Sequence, residues 1–446
     1  MNHVVKKFMT VCACGALAFT NLTPAFAKGD IIRPYTFGFG SKDEVDEGVY
    51  ELVEKGDLKH LTFKDSKEHA LNYWIHVPKD VNGNAIENLP MVVYMHGYSD
   101  GGGDNNIAIR YHNALLFRLI EQQNDPTRQA IIVVPQTPFG INPEKDKDWL
   151  ADQWVGIEPR EGEDLWTQWN RETWNMDQTP RTENLNTVVE LLKNVQNTYK
   201  ADKNRAYVSG ISMGGYTTWD LISRDDSHMF AAAVPICGVG DPTKVENAKD
   251  TPIRMFHGGI DPVINNKASR IMYEAVRKYG NATFTIYEDE EHPCWNSAYS
   301  PVLDDNKNGV SNLDDLIAWM FNQSLEGTLD GSVDKAPLQQ IINDAKAQVK
   351  DDYSKENWDQ LQAQITVSEK ALDPSVNKEE TVKAIQDLDQ LMNKVEVSAD
   401  KEAAKEPAKK EEAKENNSSM GLGITVGVVA IVVLGFVAVK MKNNKK

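Results

Sequence analysis

Hydrophobic and polar positions alternate in short blocks along most of this chain. Seven apolar runs, Leu71–Val77, Met91–His96, Ala130–Pro135, Ala206–Ser209, Ala231–Cys237, Ile253–His257 and Thr283–Tyr287, are bounded by Gly, Pro, Asn and charged residues and read as strands. Between them, Asn184–Tyr199, Gly214–Ser223, Asn265–Tyr279 and Leu313–Phe321 repeat their apolar positions with helical spacing. Continuous runs such as Ile131-Ile-Val-Val134 suit strands buried on both faces, so the pattern predicts an α/β fold with a mostly parallel sheet.

The pattern changes beyond this large globular domain, assigned to residues 28–326. Over 336–395, Leu338, Ile341, Ala345 and Val349 share one helical face, as do Trp358, Leu361 and Ile365, then Val382, Ile385 and Leu388. Three such helices can cover one another's stripes in a small bundle, with Ser354 and Asn377 placed as caps and Glu380 at the capping-box position. The stretch resembles the FIVAR-type module of bacterial surface proteins, which implies a glycan or surface partner. Residues 398–419 are almost wholly Ala, Lys, Glu, Asn and Ser and read as a solvated spacer.

Both ends carry membrane signals. Lys6 and Lys7, an apolar stretch from Phe8 to Phe19 and Ala25-Phe-Ala27 make residues 1–27 an expected secretory signal peptide. Met420 to Val439 is an uncharged run long enough to span a bilayer, followed by the basic tail 440–446, which the positive-inside bias keeps in the cytoplasm. The expectation is a single-pass protein on a Gram-positive type cell surface, its globular parts outside. Charge agrees with this arrangement: the formal net charge is −18, yet neither end contains an acid. Setting aside the six lysines of the ends leaves 42 bases against 66 acids. That excess argues against nucleic acid as a partner, because phosphate recognition needs clustered Lys and Arg.

The chemistry concentrates at Gly210-Ile-Ser212-Met-Gly214, which follows a predicted strand and precedes a predicted helix. That context is the one a nucleophile elbow requires, its glycines letting strand and helix approach across a sharp turn. A serine hydroxyl is a weak nucleophile until a base takes its proton and an acid orients that base. Asp261 follows the Ile253–His257 strand and His292 the Thr283–Tyr287 strand, so their loops should converge on Ser212. Asp261 could instead cap the next helix, and His292 could be a surface histidine beside an acidic run. His257 is a rival base better placed to pack the Asp261 loop, and Glu288, Asp289, Glu290 and Glu291 are rival acids. An oxyanion needs two backbone donors, expected at Met213 and at Tyr98, with Gly97 second.

Taken together, His96-Gly97-Tyr98, Pro135-Gln136, Gly-Ile-Ser212-Met-Gly-Gly, Val234-Pro-Ile-Cys237-Gly and His257-Gly-Gly-Ile-Asp261-Pro-Val resemble an α/β-hydrolase of the dienelactone hydrolase, feruloyl esterase and polyhydroxybutyrate depolymerase-like group. The resemblance implies the α/β-hydrolase fold and ester hydrolysis through an acyl-enzyme, with no cofactor required. Its nucleophile, acid and base would be Ser212, Asp261 and His292.

Three further features bear on the site. Trp149, Trp154, Trp166, Trp169 and Trp174 fall between a strand and the helix before the elbow, where with Trp295 they could line a site for feruloyl or other polysaccharide-linked esters, or pack a cap's own core. Asp304, Asn306, Asn308 and Asp315 follow the spacing of a calcium loop, with a shorter acid than usual at the last position; an Asn/Gly turn is the alternative. Cys237 and Cys294, the two cysteines outside the signal, follow strands that end on the same sheet edge and could form a disulfide. The expected function is a membrane-tethered serine carboxylesterase. The rivals are a peptidase with the same triad and an adhesin whose hydrolase domain has lost activity.

Overall fold

The computed structural model describes residues 52–53, 55–102, 107–110, 114–138, 153–157, 161, 163, 167–224, 228–302 and 310–395. In chain order the principal elements are β1 (Lys59–Lys64), β2 (Ala70–His76), β3 (Met91–Met95), α1 (Ala114–Glu121), β4 (Ile131–Gln136), α2 (Glu183–Thr198), β5 (Ala206–Ile211) and α3 (Met213–Ser223). They continue with β6 (Ala232–Ile236), β7 (Ile253–Gly258), α4 (Lys267–Val276), β8 (Ala282–Tyr287), α5 (Asn312–Phe321), α6 (Ala336–Lys346), α7 (Lys355–Lys370) and α8 (Lys378–Met392).

The eight strands form one sheet in the order β1-β2-β4-β3-β5-β6-β7-β8. From β4 onward the neighbours run parallel, while β2 is antiparallel to both β1 and β4. This is an α/β-hydrolase-like fold. Its central strands are mostly apolar, β3 and β6 throughout, because both faces are covered. Met91, Val93, Met95, Ile131, Val133 and Val208 pack on one side with α2, α3 and α4. The alternate residues Val92, Tyr94, Ile132, Val134 and Tyr207 pack on the other with α1 and α5. Burial of this kind is worth roughly 25 cal/mol per Å² of apolar surface, so the two-sided centre anchors the fold. β1 escapes the sequence pattern: KHLTFK is an edge strand whose only half-buried positions are Leu61 and Phe63.

Gly214, in the first turn of α3, allows that helix to lie directly on β3, where a Cβ would collide with the carbonyl oxygens of Met95 and His96. The contact fixes the helix that follows Ser212 against the strand that delivers the Gly97-Tyr98 loop.

The helices α6, α7 and α8 bury their apolar stripes together, Leu338, Ile341, Leu361, Ile365, Ile385 and Leu388 forming the centre. Ser354 caps α7 through the Asn357 amide, and Asn377 caps α8 through that of Glu380. The bundle lies against the outer strand of the sheet. Gln340 accepts from the Phe284 amide at 2.8 Å and donates to the Phe284 carbonyl at 2.6 Å, taking the place of a neighbouring strand along β8. Tyr273 donates to Asp344 at 2.9 Å and Arg277 to Asp389 at 2.7 Å. Among the described residues no helix is long and apolar enough to cross a membrane. The expected signal peptide, spacer, span 420–439 and basic tail lie outside the described residues.

Candidate active site

Four loops leave the carboxyl ends of β3, β5, β7 and β8 and meet at one edge of the sheet. Ser212 follows β5 directly and sits at φ 54°, ψ −120°, a conformation costly for any residue but glycine. Its amide donates to Ile236 at 2.9 Å, and its carbonyl accepts from Gly215 and Tyr216 at 2.8 and 3.1 Å, which hold the turn in place. The hydroxyl thereby faces His292, whose Nε2 lies 2.9 Å from Oγ. On the other side of the ring, Nδ1 lies 2.7 Å from Asp261 Oδ2. Asp261 Oδ1 accepts from the amides of Val263 and Ile264 at 2.8 and 2.9 Å, so the residue closes its own turn with one oxygen and orients the histidine with the other.

Electrostatics follow from this geometry. Burial works against a charged Asp261, but hydrogen bonds from His257 and His292 outweigh it and hold the carboxyl well below the usual carboxylate range. Burial would likewise lower the pKa of His292. The hydrogen bond to Asp261 instead lifts it to about 9.

Met213 opens α3, and amides in the first turn of a helix have no intrahelical acceptor, which suits it to an oxyanion. Of the two candidates in the opposite loop, the Gly97 amide donates to Asp100 Oδ2 at 3.2 Å. Gly97 therefore serves the loop's own structure, and the amide of Tyr98 remains the candidate second donor. His96 steadies the same loop. Its Nδ1 donates to the Gly97 carbonyl at 2.6 Å, and its Nε2 accepts from the Thr137 amide at 3.1 Å. His96 and Asp100 were missing from the sequence-based site. A buried histidine and a turn aspartate carry no signal of their own until the loop is folded around them.

Other expectations change. Trp154, Trp169 and Trp174 are at most 5% exposed and belong to the central core, against His96, Tyr98 and Tyr216. They build the wall behind the Gly97-Tyr98 loop rather than an open rim, because indoles buried against neighbouring rings have no face left for a ligand. Trp149 and Trp166 lie outside the described residues. Trp295 is buried with its ring edge-on to His292 at 5.2 Å, and so packs the base. Of the calcium-loop positions, Asp304, Asn306 and Asn308 lie outside the described residues, and the Asp315 carboxylate is paired with Arg254 at 2.8 Å. The expected disulfide is not formed. Cys237 and Cys294 are buried thiols with sulfurs 2.9 Å apart, and the Cys237 sulfur donates to the His292 carbonyl at 3.2 Å. Burial, then the neighbouring thiol, pushes the Cys237 pKa well up and keeps it protonated. Among the described residues, Cys237, Asp261 and His292 are near enough to share a metal ion, but their carboxylate and imidazole atoms are occupied by the relay to Ser212.

The dienelactone hydrolase family matches residues 118–322. That span begins in α1 and contains Ser212, Asp261 and His292. A thermostable esterase is 28% identical, with 60% of this chain covered, 64% of that one and a TM-score of 0.42. A ferulic acid esterase is 15% identical over 53% of this chain and 91% of that one, TM-score 0.37. An acylaminoacyl peptidase of Pyrococcus horikoshii is 16% identical over 55% of this chain and 39% of that one, TM-score 0.35. The chain thus spans less than two thirds of the length of the thermostable esterase and of the peptidase. No functionally curated protein matches it.

Proposed function

We propose that this chain is a serine hydrolase that cleaves carboxylic esters through an acyl-enzyme. The observation that carries the reading is the continuous relay from Ser212 Oγ through His292 to Asp261, with contacts of 2.9 and 2.7 Å, set on a strained elbow at a sheet edge. Ser212 Oγ attacks the ester carbonyl as His292 Nε2 takes its proton. The negative oxygen of the tetrahedral intermediate is met by the amides of Met213 and Tyr98. The intermediate collapses with transfer of that proton to the leaving alcohol, and a water activated by His292 then releases the acid and restores Ser212. Asp261 stays ionised throughout and stabilises the imidazolium.

The substrate is proposed to be an ester attached to polysaccharide, with feruloyl among the acyl groups, on the resemblance given by the sequence motifs. Under the same reading the hydrolase lies outside the cell, tethered through residues 420–439, with a glycan or surface partner for the helical bundle. The test is a panel of p-nitrophenyl acyl esters, methyl ferulate, feruloylated oligosaccharide and peptide p-nitroanilides, turned over by the full chain beside Ser212→Ala. Ser212-dependent ester cleavage is expected. Turnover confined to anilides would make the chain a peptidase, and none on any substrate would favour an adhesin.

A further inference from the structure

His257 is fully buried at the end of β7 and takes no part in the proton relay described above. Its Nε2 lies 3.2 Å from Asp261 Oδ2 and 2.8 Å from the Ile264 carbonyl, and its Nδ1 lies 2.7 Å from Ser269 Oγ on α4. A nitrogen facing two acceptors must carry the ring proton. On the other side of the ring, Ser269 Oγ lies 2.7 Å from Nδ1 and donates to the Gly238 carbonyl at 3.2 Å. Asp261 Oδ2 thus lies within reach of two imidazole nitrogens, His292 Nδ1 at 2.7 Å and His257 Nε2 at 3.2 Å, while Oδ1 is held by two backbone amides.

The two imidazoles have opposite freedoms. His292 is bound to Ser212 and must change protonation in every turnover. The His257 ring is held in place by Ser269 on α4 and by the Ile264 carbonyl. We propose that His257 is a positioning residue that locks the Asp261 carboxylate in the rotation aiming Oδ2 at His292 Nδ1, and that Ser269 holds the imidazole ring in the orientation that lets it do so. The proposal rests on the triad reading of Ser212, His292 and Asp261. A carboxylate pinned by Oδ1 alone can turn about its side-chain bond, whereas the second hold on Oδ2 removes that motion. The other titratable groups facing Asp261 are Cys237 and Tyr216, whose hydrogens go instead to the carbonyls of His292 and Trp169.

The test uses the full chain with whichever ester the substrate panel identifies, comparing His257→Leu, His257→Gln and Ser269→Ala. The first removes the donor, the second returns an N–H near the position of Nε2, and the third leaves the imidazole but frees its ring. His257→Leu should lower kcat about 10- to 100-fold, the range for losing one hydrogen bond to a charged group, with KM within about twofold. The acid limb of its kcat/KM profile should move to lower pH, because a loosened carboxylate no longer raises the His292 pKa. His257→Gln should recover most of kcat and return the limb, and Ser269→Ala should shift the limb in the same direction by less. A limb that stays put in His257→Leu while Tm falls would reduce His257 to packing and overturn the proposal, as would His257→Gln behaving no better than His257→Leu. Should His257→Leu fail to fold, Ser269→Ala decides, an unmoved limb again overturning it. Absence of ester turnover in the unmodified chain would instead count against the triad reading itself.

Discussion

Replacing Asp261 with Asn removes the charge that the relay turns on while keeping nearly the same shape. The carboxylate lies 2.7 Å from His292 Nδ1, and the lift of the His292 pKa from 6.5 to about 9 corresponds to about 3 kcal/mol of preference for the imidazolium. That preference is available in the transition state, where His292 has taken the Ser212 proton. Asp261→Asn also lets the imidazole flip to the tautomer whose Nε2 carries a proton and cannot accept one, so kcat should fall by about 1,000- to 10,000-fold. The assay is the pH dependence of kcat/KM on a p-nitrophenyl ester. In the unsubstituted protein activity is lost as pH falls through the His292 pKa, giving an acid limb well above 6.5; in the variant the limb should fall to 6.5 or below. Stability should follow the same group with its own sign. A folded-state pKa raised above the unfolded value contributes stability that is complete below pH 6.5 and disappears as pH rises through about 9, so Tm should decline across that window in the unsubstituted protein and much less in Asp261→Asn. A variant that keeps its activity within about tenfold, or an acid limb that does not move, would refute the assignment of Asp261.

Three other outcomes follow from the packing. Gly214→Ala drives a methyl into the Met95 and His96 carbonyls, so denaturant unfolding should show a loss of at least about 2 kcal/mol together with reduced kcat from the displaced Tyr98 loop; unchanged values would mean α3 can move off β3. Cys237 and Cys294 should react with iodoacetamide only after denaturation, without prior reduction, and mass spectrometry showing a bonded pair in the purified protein would count against the thiol state. Gln340→Ala leaves both polar groups of Phe284 without their side-chain partner, which should cost about 1–3 kcal/mol and speed exchange of the Phe284 amide; exchange as slow as before would show that the bundle holds β8 by other contacts.

The strands of the sheet interior were legible because two-sided burial favours continuous apolar runs, as in Ile131 to Val134. β1 was not, since an edge strand needs few apolar positions and KHLTFK shows none of the usual run. α1 was missed for the opposite reason: six of its eight residues are buried, which erases the helical stripe. The convergence of Ser212, Asp261 and His292 could be read from order alone because each stands just beyond a strand that ends on the same edge. Tryptophan content could not be divided between core and pocket, because an indole is equally at home in either. The Gly97 amide differed from expectation through one side chain, Asp100, three residues on, whose direction only the folded turn defines.

The bundle's hold on β8 gives the catalytic sheet a closed border on the side that carries His292. A protein trimmed to end near Asp330 would bare the backbone of Phe284 and its neighbours, an unpaired strand margin of the sort that recruits a second chain. The opposite margin, β1, begins and ends in lysine, which discourages such pairing. Shortened forms of this molecule would therefore differ from it first in self-association, and only through that in turnover.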